Sequence, residues 1–121
     1  MSKVVGIELA KACALAADYV KAEDIRVIDV RELSSLTDFM VICSGTSMPH
    51  LKAVLRDIED LVRERHDSRP FRSEGRAETK WVVLDYVDVM VHIMSEDMRE
   101  LYGLEELWGD GKEVKIEFGE S

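Results

Sequence analysis

The stretch FMVICSGTSMPHLKAVLRDIEDLV, residues 39–62, decides the fold, because its apolar period changes from that of a strand to that of a helix. Residues 39–43 are a short run rich in β-branched side chains, which is typical of a buried strand. Thr46 or Ser47 can cap a following helix, and Pro49 is tolerated in its first turn. The apolar stripe of this helix consists of Leu51, Val54, Leu55, Ile58, Leu61 and Val62. The pattern predicts a strand followed by a helix that ends near His66.

The same two periods recur on both sides of this unit. Upstream, the spacing predicts an amphipathic helix over the first twenty residues and a strand over residues 25–30. Downstream, residues 80–86 and 88–94 predict two strands, and Ser95 caps a short helix through Tyr102. Residues 104–108 continue as a turn or a second short helix, and residues 114–118 predict a last strand. The predicted order is therefore α-β-β-α-β-β-α-β.

This order predicts the fold class. Adjacent strands favour antiparallel pairing, whereas the central helix suits a crossover between parallel strands. We expect one α/β (α+β) domain, in which helices flank a mixed sheet of about five strands. The domain is expected to span residues 1–121, with a core over about 3–110 and an acidic C-terminal strand and tail over 111–121.

The turn between the two central strands sets their register. Tyr86-Val87 is a poor hairpin turn, because neither residue readily takes a positive φ. A two-residue turn at this point would place Asp85 opposite Asp88 and Trp81 opposite His92. The other face would be uniformly apolar and would belong to the core; it consists of Val82, Leu84, Val89, Val91 and Ile93.

Acidic residues outnumber basic residues in the chain. The 121 residues include 16 Lys plus Arg and 25 Asp plus Glu, for a net charge of −9, which argues against a general nucleic-acid binder with a basic surface. Residues 95–121 alone carry nine acids and three bases, a net of −6. The middle is locally basic, through Arg63, Arg65, Arg69, Arg72, Arg76 and Lys80. Both runs are typical of solvated faces.

Residues 67–79 are polar, contain Pro70 and Gly75 and show no period, so they predict a long loop of the kind that is usually functional or mobile.

Cys13 and Cys43 lack the spacing of a metal site or a disulfide framework, and we expect both to be small core residues in a reducing compartment. The sequence lacks the patterns of a signal peptide, a transit peptide or a membrane-spanning segment, and we therefore expect a cytoplasmic protein.

Two pairs of carboxylates could support catalysis, and both signals are weak. Asp57 and Glu59 could imitate the metal-binding pair of a nucleotidyltransferase, but side chains two residues apart on a helix diverge. Asp85 and Asp88 form a better pair, yet they lack a suitable glycine-rich phosphate loop. His92 is expected to be a hydrogen-bonded, half-buried residue rather than a base or a ligand.

Four aromatic residues cluster within 28 residues of sequence: Trp81, Tyr86, Tyr102 and Trp108. Exposed aromatic side chains beside carboxylates are typical of anchors in protein interfaces. Core packing explains at least two of the four equally well.

Five short motifs occur in an order and spacing that resemble the Iojap family, the ribosomal silencing factors (RsfS). They are DFMVICSGTS at 38–47, EG at 74–75, WVVLDY at 81–86, VH at 91–92 and RELYGLEELW at 99–108. Together they are distributed over most of the span from Ile25 to Asp110. The chain departs from the family at Val87, where Gly is common, and at Pro49, where a basic residue is frequent.

The resemblance implies a non-enzymatic factor without cofactor or metal, similar in fold to nucleotidyltransferases but lacking their active site. Such proteins are often homodimers and bind ribosomal protein fourteen of the large subunit, which blocks joining of the small subunit when nutrients are short. By motif match, Trp81, Asp85 and Tyr86 are expected at the centre of the contact, with Glu74 and Gly75 presented from the long loop. The remaining expected partner-binding residues shape or flank that surface: Asp88, Tyr102, Leu104, Glu105 and Trp108.

Two other classes of function remain open at this point. One is a diverged nucleotidyltransferase that uses Asp85 and Asp88, and the other is a generic dimeric acidic scaffold. The acidic charge itself suits a basic ribosomal protein as partner and disfavours adhesion to the surrounding RNA.

Overall fold

A computed structural model describes residues 5–107, 109–116 and 118 of the chain, which contain both helices and strands. The helices are α1 (Gly6–Tyr19), α2 (Met48–His66), α3 (Glu96–Tyr102) and α4 (Leu104–Leu107). The strands are β1 (Glu23–Asp29), β2 (Phe39–Gly45), β3 (Arg72–Arg76), β4 (Trp81–Asp85), β5 (Val89–Ser95) and β6 (Lys112–Val114). Among these residues, no helix is long and apolar enough to cross a membrane.

One mixed sheet joins the strands in the order β3-β4-β5-β2-β1-β6. β2 and β5 run parallel, and the other neighbouring pairs are antiparallel. The predicted α+β fold with a mixed sheet is confirmed, and the sheet has six strands rather than five.

The additional strand is β3, which lies in the segment predicted to be a loop. Its residues pair with β4 from Arg72 opposite Asp85 to Arg76 opposite Trp81, although all five of them are exposed. The prediction failed because alternating hydrophobicity reports the burial of one strand face, and neither face of β3 is buried. Backbone hydrogen bonds alone define this strand, and a 3₁₀ turn at Ala77–Thr79 connects it to β4.

α1 and α2 cover one side of the sheet, which we call the helix side. Ala10, Ala14 and Ala17 of α1 have no exposed surface, and their small size lets the helix approach the strands closely. α2 begins where predicted, because the Ser47 hydroxyl accepts a hydrogen bond of 3.1 Å from the His50 amide.

α3 packs on the opposite side of the sheet, which we call the outer face. A second, smaller core lies beneath it and contains Ile28, Val30, Met40, Ile42 and Met94. Trp81, Met90 and Met98 are partly buried against this cluster. The outer face is therefore only partly closed, whereas the helix side carries the main core.

The hairpin between β4 and β5 turns one residue later than the sequence suggests. The Tyr86 amide donates a hydrogen bond of 2.8 Å to the Val89 carbonyl, so the two turn residues are Val87 and Asp88. The predicted opposition of Asp85 and Asp88 is therefore wrong.

The corrected register moves each pairing by two residues. Trp81 lies opposite Met94 instead of His92, and Asp85 lies opposite Met90. A shift of two residues keeps every side chain on its predicted face, since successive side chains alternate. The expected core residues Val82, Leu84, Val89, Val91 and Ile93 are accordingly buried.

The last strand also differs from expectation. β6 begins at Lys112, opposite Asp29, and ends at Val114, opposite Val27. The prediction of residues 114–118 is shifted because Lys112 and Glu113 pair through their backbones while their side chains stay exposed. Residue 117 lies outside the described residues.

Val87 adopts a backbone conformation that β-branched residues rarely accept. Its φ is +78°, and the Asp88 amide donates to the Tyr86 carbonyl across it at 3.0 Å, which is the hydrogen bond of a γ-turn. The Asp85 carboxylate also accepts a bond of 2.8 Å from the Val87 amide. Surrounding hydrogen bonds therefore hold a strained residue at the tip of the hairpin.

Asp88 connects the hairpin to two other elements. Its carboxylate accepts a hydrogen bond of 2.6 Å from the Gly6 amide at the start of α1, where Val5 provides no side-chain cap. Its carbonyl accepts bonds of 3.0 Å from the amides of Asp38 and Phe39, at the start of β2. Asp88 thus satisfies backbone donors that would otherwise lack partners.

We predict that Val87→Gly stabilises the protein by about 1 kcal/mol, because glycine accepts positive φ without the strain of a branched Cβ. Urea unfolding of the variant and the parent chain measures this difference. Val87→Ala is the matched control, since it removes the branching but keeps a Cβ at positive φ, and we expect it to gain much less. Equal gains for the two variants would contradict the role assigned to φ.

Candidate docking surface

The exposed part of the outer face lies on β3, β4 and the end of α3. Residues paired across antiparallel strands have their side chains on the same side of the sheet. β3 therefore places its side chains beside those of β4, and these form a surface that we call the docking surface. It consists of Arg72, Glu74, Arg76, Trp81, Val83, Asp85 and Tyr102.

Two aromatic rings lie at the centre of this surface. The rings of Trp81 and Tyr102 contact each other with centroids 5.0 Å apart and an angle of 49° between their planes. Trp81 is half-buried, whereas Tyr102, at the end of α3, is 55% exposed. The pair joins α3 to β4 and presents a partly apolar patch to solvent.

His92, on the neighbouring strand β5, holds the Trp81 side chain in place. The Trp81 indole Nε1–H donates a hydrogen bond of 3.0 Å to His92 Nδ1, so that nitrogen carries no proton. His92 is hydrogen-bonded, as expected, but it is buried rather than half-buried. Burial lowers its pKa from 6.5 to about 4. A neutral imidazole therefore orients the indole at neutral pH.

Tyr86 lies on the other side of the sheet from Trp81. It is 6% exposed and belongs to the main core with α1 and α2, and its hydroxyl has no hydrogen-bond partner among the described residues. Burial raises the pKa of its phenol above the usual value. The motif match places Tyr86 at the centre of the contact together with Trp81 and Asp85, but its side chain lies in the main core. In a strand, Asp85 and Tyr86 point to opposite faces.

Glu74 and Gly75 belong to the edge strand rather than to a loop, and both are exposed. Gly75 has a φ of +91°, and a Cβ at this position would collide with the Trp81 carbonyl oxygen. Only glycine therefore allows β3 to pair closely with β4 here. The Glu74 side chain reaches Arg72 at 3.7 Å, in an ion pair that is open to solvent.

Asp85 lies at the rim of the docking surface. Its carboxylate accepts the bond from the Val87 amide and contacts Arg72 Nε at 3.8 Å. Asp88, its candidate catalytic partner, is bonded to Gly6. The two carboxylates therefore serve separate backbone donors. Among the described residues, no group of three or more His, Cys, Asp or Glu side chains is placed to hold a metal ion.

Gly45, Thr46 and Ser47 line a cavity of about 360 Å³ at the carboxyl ends of β2 and β5. The charged side chains of this cavity are Lys80 and three carboxylates, those of Glu23, Glu96 and Asp97. Carboxylates in excess repel phosphate groups, so this cavity does not favour a nucleotide.

A buried arginine joins α3, α4 and the sheet, and the sequence analysis did not single it out. Arg99 is 5% exposed; its Nη1 donates to the Ser44 hydroxyl at 2.8 Å and its Nε to Glu105 at 2.7 Å. Glu105 also contacts Arg26 Nε at 3.2 Å. Glu105 therefore anchors α4 to α3 and to β1 of the sheet. Helical spacing places Arg99 on α3 but does not reveal that it is buried.

Two further predicted contact residues lie in this C-terminal region. Leu104 begins α4 next to Gly103, whose φ of +55° ends α3. Trp108 lies outside the described residues, so its predicted role stays a prediction.

Comparison with known proteins gives consistent matches. A family model described as "Ribosomal silencing factor during starvation" matches residues 5–121. The ribosomal silencing factor RsfS of Bacillus subtilis is 38% identical over 109 residues, which cover 90% of this chain and 92% of that protein. RsfS of Haemophilus influenzae is 41% identical over 93 residues, covering 75% and 88%. A crystal structure of a Chromobacterium violaceum protein superposes with a TM-score of 0.82 at 30% identity, covering 96% of this chain and 95% of that one.

We predict that His92 makes the stability of the protein pH-dependent between pH 6.5 and 4. The pKa of His92 is about 4 in the folded protein and 6.5 in the unfolded chain. As the pH falls, the unfolded chain therefore binds a proton at a higher pH than the folded protein does, and stability is lost through this window. The loss attributable to His92 is about 3 kcal/mol. Urea unfolding at pH 7 and pH 4 should show a correspondingly smaller change for His92→Gln. Equal changes for the two proteins would contradict the prediction.

Proposed function

Because this chain belongs to the ribosomal silencing factor family, we propose that it represses translation by binding ribosomal protein fourteen of the large subunit and blocking the small subunit from joining. The observation that carries this proposal is the Trp81–Tyr102 pair on the outer face, in which Tyr102 is exposed and Trp81 is half-buried. Tryptophan and tyrosine are enriched among the residues that dominate binding energy in protein interfaces. The pair therefore provides a physical centre for docking.

Charge on α3 and α4 supports a basic protein as the partner. α3 ends at Tyr102, and the two helices carry the exposed carboxylates of Glu96, Asp97, Glu100 and Glu106. Acidic groups at the edge of an interface speed association with a basic surface and exclude acidic partners. Glu105 contributes less directly, since it is paired with Arg99 and Arg26.

The proposed mechanism is steric and includes no chemical step. The factor occupies the surface on which the small subunit docks. A rise of about 3 kcal/mol in the free energy of joining reduces the equilibrium constant for joining about a hundredfold. Asp85 and Asp88, the candidate catalytic pair, are engaged by the backbone amides of Val87 and Gly6, which supports a structural role for both. We further propose that the protein acts in the cytoplasm and is a homodimer when free.

Sedimentation with separated ribosomal subunits tests the function directly. The protein should travel with the large subunit and not with the small one, and it should reduce the yield of joined ribosomes when both subunits are mixed. Joining that proceeds unchanged at saturating protein would reject the silencing function. Failure to bind the large subunit would favour a generic dimeric scaffold.

We predict that Tyr102→Ala and Trp81→Ala weaken binding to the large subunit by about 2 kcal/mol each, because anchors near the centre of an interface dominate its affinity. Tyr86→Phe should bind like the parent chain, since the Tyr86 side chain is buried on the helix side. Titration of labelled protein with large subunits measures these affinities. Tyr102→Ala is the more decisive variant, because its exposed side chain contributes little to the core. Parent-like affinity of the folded Tyr102 variant would remove this residue from the contact.

A further inference from the structure

Cations and one exposed aromatic ring lie along the β3 edge of the sheet, in a protein whose net charge is −9. We call this set the basic edge, and it consists of Arg69, Phe71, Arg72 and Arg76, all of them exposed. Residues 69–76 carry three cations and one acid, a net of +2, which leaves −11 for the remainder of the chain. β3 thus contributes cations to the docking surface, whereas α3 and α4 carry exposed carboxylates.

The cations of the basic edge have few acidic neighbours among the described residues. Arg72 is the one that has acidic neighbours within 4 Å among the described residues, and these contacts are long: 3.7 Å to Glu74 and 3.8 Å to Asp85. Arg76 lies four residues further along β3, on the same face, so the two guanidinium groups are attached about 13 Å apart along the strand. They can therefore reach separate charges on an extended anion.

Phe71 adds an apolar ring to this row of charges. Its amide donates a hydrogen bond of 2.7 Å to the Asp85 carbonyl, which fixes its backbone at the start of the edge strand. Its side chain is 68% exposed, and the Arg72 guanidinium lies 5.1 Å from the ring centroid. A backbone-anchored, exposed ring beside arginines is a suitable platform for stacking a nucleobase.

We propose that the basic edge binds RNA of the large subunit: Arg72 and Arg76 contact phosphates, and Phe71 stacks on an unpaired base. The proposal rests on the proposed function, because it places this contact next to the protein surface to which the factor docks. Both RNA and an acidic peptide would complement the charge of the basic edge. The stacking ring favours RNA, because together with the spaced guanidinium groups it matches both the bases and the backbone of a nucleic acid.

The net charge of −9 is compatible with this contact. Charges separated by more than about 8–10 Å of physiological salt solution are largely screened, so the acidic helices do not cancel a local basic row. They do oppose binding to free RNA in general. The basic edge would therefore act after the aromatic pair has docked, and it would add orientation without sequence-specific readout.

Photo-crosslinking at position 71 identifies the neighbour of the basic edge. Phe71→p-benzoylphenylalanine is incubated with purified large subunits, irradiated and digested with ribonuclease. We expect a crosslinked species that ribonuclease removes. Crosslinking only to a ribosomal protein, or to a second copy of the chain, overturns the proposal while leaving the silencing function intact. If the protein does not sediment with large subunits at all, the proposed function fails and the RNA contact fails with it.

Salt dependence of large-subunit binding provides the second test. Arg72→Gln/Arg76→Gln should weaken binding about tenfold and reduce the slope of log affinity against log salt by about 1.4 to 1.8, because two phosphate contacts are lost. The matched control, Lys52→Gln/Arg56→Gln, changes the net charge equally on the exposed side of α2 and should bind like the parent chain. Equal slopes for the two double variants would overturn the proposal.

Discussion

The parallel pairing of β2 with β5 is the constraint on which the rest of the structure depends. It continues in register over seven residues, from Phe39 opposite Val89 to Gly45 opposite Ser95, and every β2 residue is buried. Because both strands end at the same edge of the sheet, α2 and α3 begin side by side. α2 then packs on the helix side and α3 on the outer face. This pairing therefore determines which side of the sheet is closed and which remains available to a partner.

The strand alternation that follows from this arrangement sorts the residues of one motif into different roles. Trp81 and Asp85 face outward, whereas Tyr86 packs in the main core and stabilises the sheet from behind. A motif shared with a family thus combines surface and core residues, and its resemblance alone does not separate them. The buried Arg99 shows the same principle, since it belongs to a motif but joins α3 and α4 to β2 through Ser44 and Glu105.

Local strain and charge segregation both occur near the docking surface. Val87 is held at positive φ by hydrogen bonds from the hairpin, and Gly75 allows the edge strand to approach Trp81. Gly75 thereby lets a strand that carries Arg72 and Arg76 line the docking surface, while α3 and α4 carry exposed carboxylates. Such an arrangement suits a ribosomal site, in which basic proteins and RNA phosphates lie side by side.

The sequence by itself determined the periodic elements, the Ser47 cap, the apolar faces of β4 and β5 and membership of the family, because period and local motifs are properties of neighbouring residues. It did not predict β3, whose exposed side chains carry no period, or the register of the hairpin, whose turn contains a valine at positive φ. Only the tertiary structure brought Trp81 to Tyr102 and Arg99 to Ser44 and buried Tyr86. Strand register and helix packing decide such contacts, since they join residues that are distant in the chain.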